Sequence, residues 1–594
     1  MRKRTPDGHG TRGTAVSTPG GAAGGPFYGA AAGTSRGAAD RPPGGMGDGD
    51  SGAPWRSRNG LEFPDRVPRA DRRAWEARGL CPGTDLFSLF ERHALADPGR
   101  DAVVDTRGTV SYAELYAETL RIAALFAGAG LGARDVIALR LPNGRRAVAA
   151  ELAVYALGAV ALPYPLGGGV RDTLALLGRS RAGGAVFDEP ADVEAAARLP
   201  LLRAVFTTFP GADGGGPSLD RPAAGGPFEP AGPPAPATAP ARILVSSGSE
   251  AEPKMVAYSH QAMAGGRAAY VRALTGPMDR PPRLLVLVPL ASSYGSLGVP
   301  VTLAALGGTL IVRERFAAAD ALRAVGEHRP THLFGVPTML RRMADLPRTP
   351  DEDTSSLRAV VSSGAALPGS TAAACRERFG LPVTAVYGSS DGVNCHTAAP
   401  GAPAGDTAGT PDPAVAAIRV VRPDGRPAAA GEAGEILAKG PMTPLCYVGA
   451  PELDARYRTA SGWVRTGDLG ALDGAGRLRV LGRLKNVVIR GGYTISPAEV
   501  ERELGTHPGI AEAVCVPVPD EEFGERLCAC VRPVPRAPAP TLSAVTGHLG
   551  ARGLERKKFP EYLLVTDRMP LRPTGKICRR TVTEWAVRAR LTTG

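Results

Sequence analysis

The stretch Ser246–His260, SSGSEAEPKMVAYSH, follows the apolar run Ile243, Leu244, Val245 and has the makings of a phosphate-holding loop. A strand that feeds a Ser/Gly turn leaves backbone N–H groups to face an anion, and Lys254, six residues beyond Gly248, is within reach of it. A P-loop NTPase is excluded: Pro253 stands directly before Lys254 and Met255 directly after, where that loop has glycine and then serine or threonine. Alone, the stretch fits a polar turn between two strands equally well. Five more stretches of the same character follow in order. They are SSGAAL from Ser362, VYGSSDG from Val386, GWVRTGDLG from Gly462, GRLKNVVIRGGYTISPAEVE from Gly482 and PLRPTGKI from Pro570.

A chain of 594 residues needs two or more domains to carry these turns. Residues 1–78 are rich in Gly, Ala, Pro, Ser and Arg without hydrophobic periodicity, which predicts a disordered tail. The opening MRKR has no apolar stretch behind it and does not read as a secretory signal. From DLFSLFERHALADPGRDAVVD at Asp85 onward, strands and helices alternate in the βαβ rhythm of a parallel sheet covered by helices. A Pro/Gly stretch, residues 211–240, reads as a loop before the Ser/Gly turn, and shorter strands with turns follow from about Val420 to Val480. After Arg483 a pattern of strand, helix, two strands and helix predicts a compact α+β unit. The expected organisation is a tail (1–78), a large domain of parallel sheets, helices and a β-barrel-like part (79–484), and a small mobile α+β domain (485–594).

Composition narrows the function classes. The formal charge of +12 invites a nucleic-acid partner, but aromatic residues are 5% of the chain and no basic stripe is interleaved with them, so a polyanionic small molecule accounts for it. No membrane span is expected: the best apolar run, Ala147–Leu166, contains Glu151 and ends in Pro163 and Pro165. The eight cysteines lack zinc-type pairing, and Cys528 and Cys530 fall on one face of a strand, so a reduced, cytoplasmic protein is expected.

The six stretches together, with VSYAEL at Val110 and GVPTML at Gly335, resemble the adenylate-forming superfamily of acyl-CoA synthetases, peptide-synthetase adenylation domains and luciferases. The resemblance covers nearly all the chain past residue 80. It implies that a carboxylate attacks the α-phosphate of ATP, expelling pyrophosphate, and that the acyl-adenylate then passes to the thiol of CoA or of carrier-protein phosphopantetheine. On the matching positions, Ser246, Ser247, Gly248, Ser249 and Lys254 would hold the β and γ phosphates with Mg2+, and Ser249 and Asp391 would be metal ligands. Tyr387 would stack on adenine, with Gly364, Ala365, Gly388 and Ser390 around it. Asp468 would take both ribose hydroxyls, a bidentate task suited to a carboxylate, and Arg483 would contact the ribose. Lys485 would be the hinge, and Lys576 the catalytic lysine delivered by domain closure.

The chain departs from the family pattern at Glu250, Ala251, Ser390 and Asp391, where threonine, glycine, threonine and glutamate are usual. In PLASSYGSLG from Pro289, Ser292 and Ser293 stand where aryl-acid relatives carry His-Asn and amino-acid relatives an Asp. With Tyr294 and Val393 they imply a modest pocket for an aryl or small unsaturated acid of secondary metabolism, and no carboxylate to hold an α-ammonium group. Two other readings stand beside the acid–thiol ligase: an adenylating enzyme that forms an amide or another nitrogen product, diazotisation of an aryl amine included, and a non-catalytic nucleotide-binding relative. The segment RGGYTI resembles the one lining the pantetheine tunnel and favours the ligase. Aspartate is a sound oxygen ligand for magnesium but one methylene shorter than glutamate. Asp391→Ala is therefore expected to raise the magnesium requirement steeply, and an unchanged magnesium titration would remove Asp391 from the site.

Overall fold

A computed structural model of the chain describes residues 54–593, apart from 167–168, 210–216, 223–225, 231, 246–252, 277, 390–395, 398–408, 485–487, 491–492, 521 and 573–574. The expected α/β rhythm is present. Ser111 accepts from the backbone N–H of Glu114 at 3.2 Å while the Glu114 carboxylate takes that of Ser111 at 2.7 Å, a reciprocal cap that starts the helix Tyr112–Gly128. Behind it, strands Val136–Arg140, Val160–Pro163, Gly184–Phe187 and Ala204–Thr207 pair in parallel across helices Arg145–Ala156, Val170–Ser180 and Pro190–Ala196. The same seven-stranded sheet takes in Pro240–Val245, which turns back antiparallel onto Met255–Ser259 with Val245 opposite Met255. The Ser/Gly stretch is thus the connection of a hairpin.

A second sheet, of eight strands, carries the rest of the large domain's core. Arg283–Val286, His332–Gly335, Ala359–Ser363 and Val383–Tyr387 lie side by side in parallel. Their carboxyl ends bring Gly335, Ser363 and Tyr387 to one rim, the edge at which open α/β sheets bind ligands. The shorter strands beyond make a four-stranded antiparallel sheet of Ala417–Val421, Gly434–Lys439, Val464–Leu472 and Leu478–Arg483. The small C-terminal unit has its own five-stranded sheet and two apolar clusters, one around Val488, Leu504 and Leu549 and one around Val516, Cys530 and Val582. Cys528 and Cys530 share a strand face, with sulfurs 4.0 Å apart.

Residues 55–77, expected to lie in the disordered tail, are ordered. Trp55–Arg56 pairs with Glu62–Phe63, and Arg69–Ala77 is a helix. Phe63 is buried in the large domain, Trp75 packs with Val67 and Cys81, and the helix is tied on by an Asp71–Lys439 ion pair of 2.8 Å. Gly, Pro and Arg hide this order in the sequence, because it comes from contacts far along the chain. Among the described residues no helix is long and apolar enough to cross a membrane. Because Trp75 is 9% exposed, Trp75→Ala should cost about 3 kcal/mol of stability in denaturant unfolding; an unchanged midpoint would return this segment to the tail.

Candidate active site

Five of the sequence-predicted residues, Gly364, Tyr387, Asp468, Arg483 and Lys576, gather where the small domain meets the rim of the eight-stranded sheet. Asp468 and Arg483 sit opposite each other on neighbouring antiparallel strands, so the pleat brings their side chains to one face. The guanidinium Nε of Arg483 lies 3.0 Å from one carboxylate oxygen of Asp468, and the Tyr387 hydroxyl donates to the other at 2.7 Å. Asp468 is buried and Arg483 is nearly half exposed, so the carboxylate is the fixed member of the pair. The backbone N–H of Asp468 donates to the Thr466 hydroxyl, which itself donates to the Ile436 carbonyl. Burial, and then the Asp468 charge, push the Tyr387 hydroxyl well above the usual tyrosine pKa, so it stays a donor.

Lys576 arrives from the other side. Residues Leu571 and Ile577 bridge across a tight turn closed by Arg572 N–H to the Lys576 carbonyl at 2.7 Å. The Gly575 carbonyl at the turn's tip accepts from the Thr338 hydroxyl at 2.8 Å. Gly575 and Gly364 both have positive φ, +78° and +87°. A Cβ at Gly364 would stand 2.8 Å from Cε of Lys576 and 3.2 Å from its Nζ, and one at Gly575 2.9 Å from the Met339 methyl. Side chains at these two positions would hold the segments apart. Solvent reaches Lys576, yet protein rings it, as in a cleft; this desolvation, then the charges of Arg483 and Arg572, lowers its pKa from the usual lysine value.

Other expected residues are placed differently. Lys254 is buried, with its ammonium 4.0 Å from the ring centroid of Tyr457 and 5.7 Å from that of Tyr447. A lysine held on aromatic faces has part of its charge met by them. The Ser292 hydroxyl, expected to face the acid, is used within its own turn: it donates to the Pro289 carbonyl at 2.7 Å and accepts from the Gly295 N–H at 3.0 Å. The Tyr294 hydroxyl donates to the Val361 carbonyl at 3.2 Å. Gly364 is half-buried, and Ala365 and Gly388 are exposed at the rim. Ser246, Ser247, Gly248, Ser249, Ser390, Asp391, Val393 and Lys485 lie outside the described residues. Thr338 gave no sign of its part in the sequence beyond its place in GVPTML.

A carboxylate, an aromatic ring and two cations meet at this sheet rim. Known proteins place the chain in a class. The model of the AMP-binding enzymes matches residues 90–448, and that of the AMP-binding enzyme C-terminal domain matches 499–576. The chain belongs to this family, an α/β large domain followed by a smaller one. Its relatives are acid-activating ligases, and the acid–thiol ligase class expected from the sequence stands. The sulfoacetate–CoA ligase of Cupriavidus necator is 31% identical over 80% of this chain and 92% of its own length. The salicyl-AMP ligase of Mycobacterium tuberculosis, also a salicyl-S-ArCP synthetase, is 31% identical over 86% of this chain and 93% of its own. Among solved structures, the amide bond synthetase McbA from Marinactinospora thermotolerans superposes with a TM-score of 0.74 at 27% identity, covering 84% of this chain and 99% of that one.

An ammonium with a lowered pKa loses its proton earlier as pH rises. The kcat/KM of acid adenylation, which reports the free enzyme, should therefore show a basic limb below the usual lysine titration near 10.4, and Lys576→Arg should move that limb to higher pH. A profile identical in the two proteins would take Lys576 out of the proton-dependent step.

Proposed function

We propose that this protein activates a small carboxylic acid with ATP and passes the acyl group to a pantetheine thiol. What supports the reading above all is the meeting of Lys576 with Gly364 beside the Asp468–Arg483 pair. In the first step an oxygen of the acid's carboxylate bonds to the α-phosphorus and the bond to pyrophosphate breaks. Both reactants are anions, so the step needs cations where they approach, and Lys576 and Arg483 fill that part. Asp468 would accept both ribose hydroxyls, with the Tyr387 hydroxyl and the Arg483 Nε holding its orientation, while the Tyr387 ring packs on the base.

Magnesium, when bound, neutralises the outer phosphates; Asp391 and Ser249 are the residues we assign to it. In the second step the thiol sulfur bonds to the acyl carbon, AMP leaves with the bonding pair, and the thiol proton is lost to solvent. Opening of the small domain about Lys485 would remove Lys576 from the site and admit the thiol. The acid is of the aryl or small unsaturated kind, since Ser292 and Ser293 are small and, with Tyr294, half-buried. Adenylation with an amine as the acceptor is the second reading, favoured by the likeness to an amide bond synthetase.

Pyrophosphate release with a panel of acids, followed by product analysis with CoA, a phosphopantetheinyl carrier protein or amines, tests the assignment. Lys576→Ala is expected to abolish adenylate formation and to leave thioester formation from a supplied acyl-adenylate largely intact. An equal loss of both half-reactions would overturn the two-orientation reading, and no ATP-dependent activity with any acid would leave the nucleotide-binding relative.

A further inference from the structure

The buried arginines of the described chain are, with one exception, matched by carboxylates. Arg72 meets Asp65, Arg140 meets Asp192, Arg242 meets Glu151, Arg313 meets Asp320 and Arg378 meets Glu352. Arg267 is 4% exposed, and among the described residues no carboxylate forms an ion pair with it. Its Nη1 donates to the Ser293 carbonyl at 3.3 Å and to the Ser296 hydroxyl, and its guanidinium stands 5.3 Å from the ring centroid of Tyr258. These partners are dipoles and a ring quadrupole. They lower the cost of burial without cancelling the charge.

The backbone is shaped to bring Arg267 there. It lies on the helix His260–Thr275, whose winding is broken at Gly265 with ψ of −113°. Next to the break, a Cβ at Gly266 would come within 2.9 Å of the Val415 carbonyl, so the helix can approach that segment only with glycine here. The turn that Arg267 grips is also held from two other sides. Arg242 Nη2 donates to the Leu290 carbonyl at 2.7 Å, and the Asn143 side-chain carbonyl accepts the Leu290 N–H at 2.8 Å. A lone positive charge is thus set, in low dielectric, directly behind the segment assigned to the acid.

We propose that Arg267 gives the acid pocket a net positive field, and that the acid it takes carries a second anionic group, a carboxylate or sulfonate, besides the carboxylate that is activated. The inference rests on the function proposed above and names its substrate class. Unpaired buried charge is costly, and a substrate anion supplies the missing counter-charge when it binds. Arg267 acts as a positioning and specificity residue, through the turn and through its field, and takes no part in bond making.

Pyrophosphate release measured with matched acids decides it: benzoate against terephthalate and 4-sulfobenzoate, and propionate against succinate and 3-sulfopropionate. The native protein should favour an anionic member of a set by at least tenfold in kcat/KM. Arg267→Lys should keep that preference, and Arg267→Gln should bring the ratio toward one by raising KM for the anionic member with little change in kcat for the other. A purely structural role would lower all members alike. Preference of the native protein for the singly charged acids, or a ratio unaltered in Arg267→Gln, would overturn the inference while leaving adenylation intact. Absence of pyrophosphate release with every acid would instead overturn the function on which it rests. Should Arg267→Gln fail to fold, the native protein's own preference, and its decline with salt, still decide the matter.

Discussion

Positive charge concentrated where the small domain meets the large one is the constraint on which this site depends. Desolvation, and then the charges of Arg483 and Arg572, lower the pKa of Lys576. Like charges gathered in a partly desolvated cleft repel one another, and the Asp468 carboxylate is placed against them through Arg483. Under the proposed function, an anion entering the cleft would relieve that repulsion, so nucleotide binding would favour closure of the small domain, and departure of pyrophosphate would weaken the hold on Lys576.

Much of this was legible in sequence because it is local. The Ser111–Glu114 cap, the strand–helix rhythm and the order of elements after Arg483 follow from residue types over short spans, and they are found as expected. Asp468, Arg483, Tyr387 and Lys576 were legible as a set through family resemblance, and folding brings them together. What was not legible depends on contacts across long separations. The ordered segment from Trp55 to Ala77 is held by partners such as Lys439. The burial of Lys254 against the rings of Tyr447 and Tyr457, some two hundred residues on, is of this kind. The placement of Ser292 is local instead. Its hydroxyl serves a turn made by its immediate neighbours, a use to which serines near a Pro and a Gly are prone.

Arg267 shows a third kind of illegibility. In an Ala- and Gly-rich helix one arginine reads as a solvated residue, and nothing in its neighbours distinguishes it from Arg272 five positions later. Only two features of the fold change that reading: the break at Gly265 and the close packing at Gly266 against Val415. Both glycines act by what they lack, and the consequence appears on a different segment, the turn Ser292–Ser296.

The same logic governs the meeting of the two domains. Gly364 follows the strand Ala359–Ser363 at the rim, and Gly575 directly precedes Lys576. Each has a backbone conformation that disfavours a side chain, and each faces an atom that a Cβ would displace. The contact is made by backbone and by the Thr338 hydroxyl, with the methionine and valine of the neighbouring segment packing beneath. A contact made by backbone and one hydroxyl would align a lysine and still be able to part, the property that two successive reactions at one site would require.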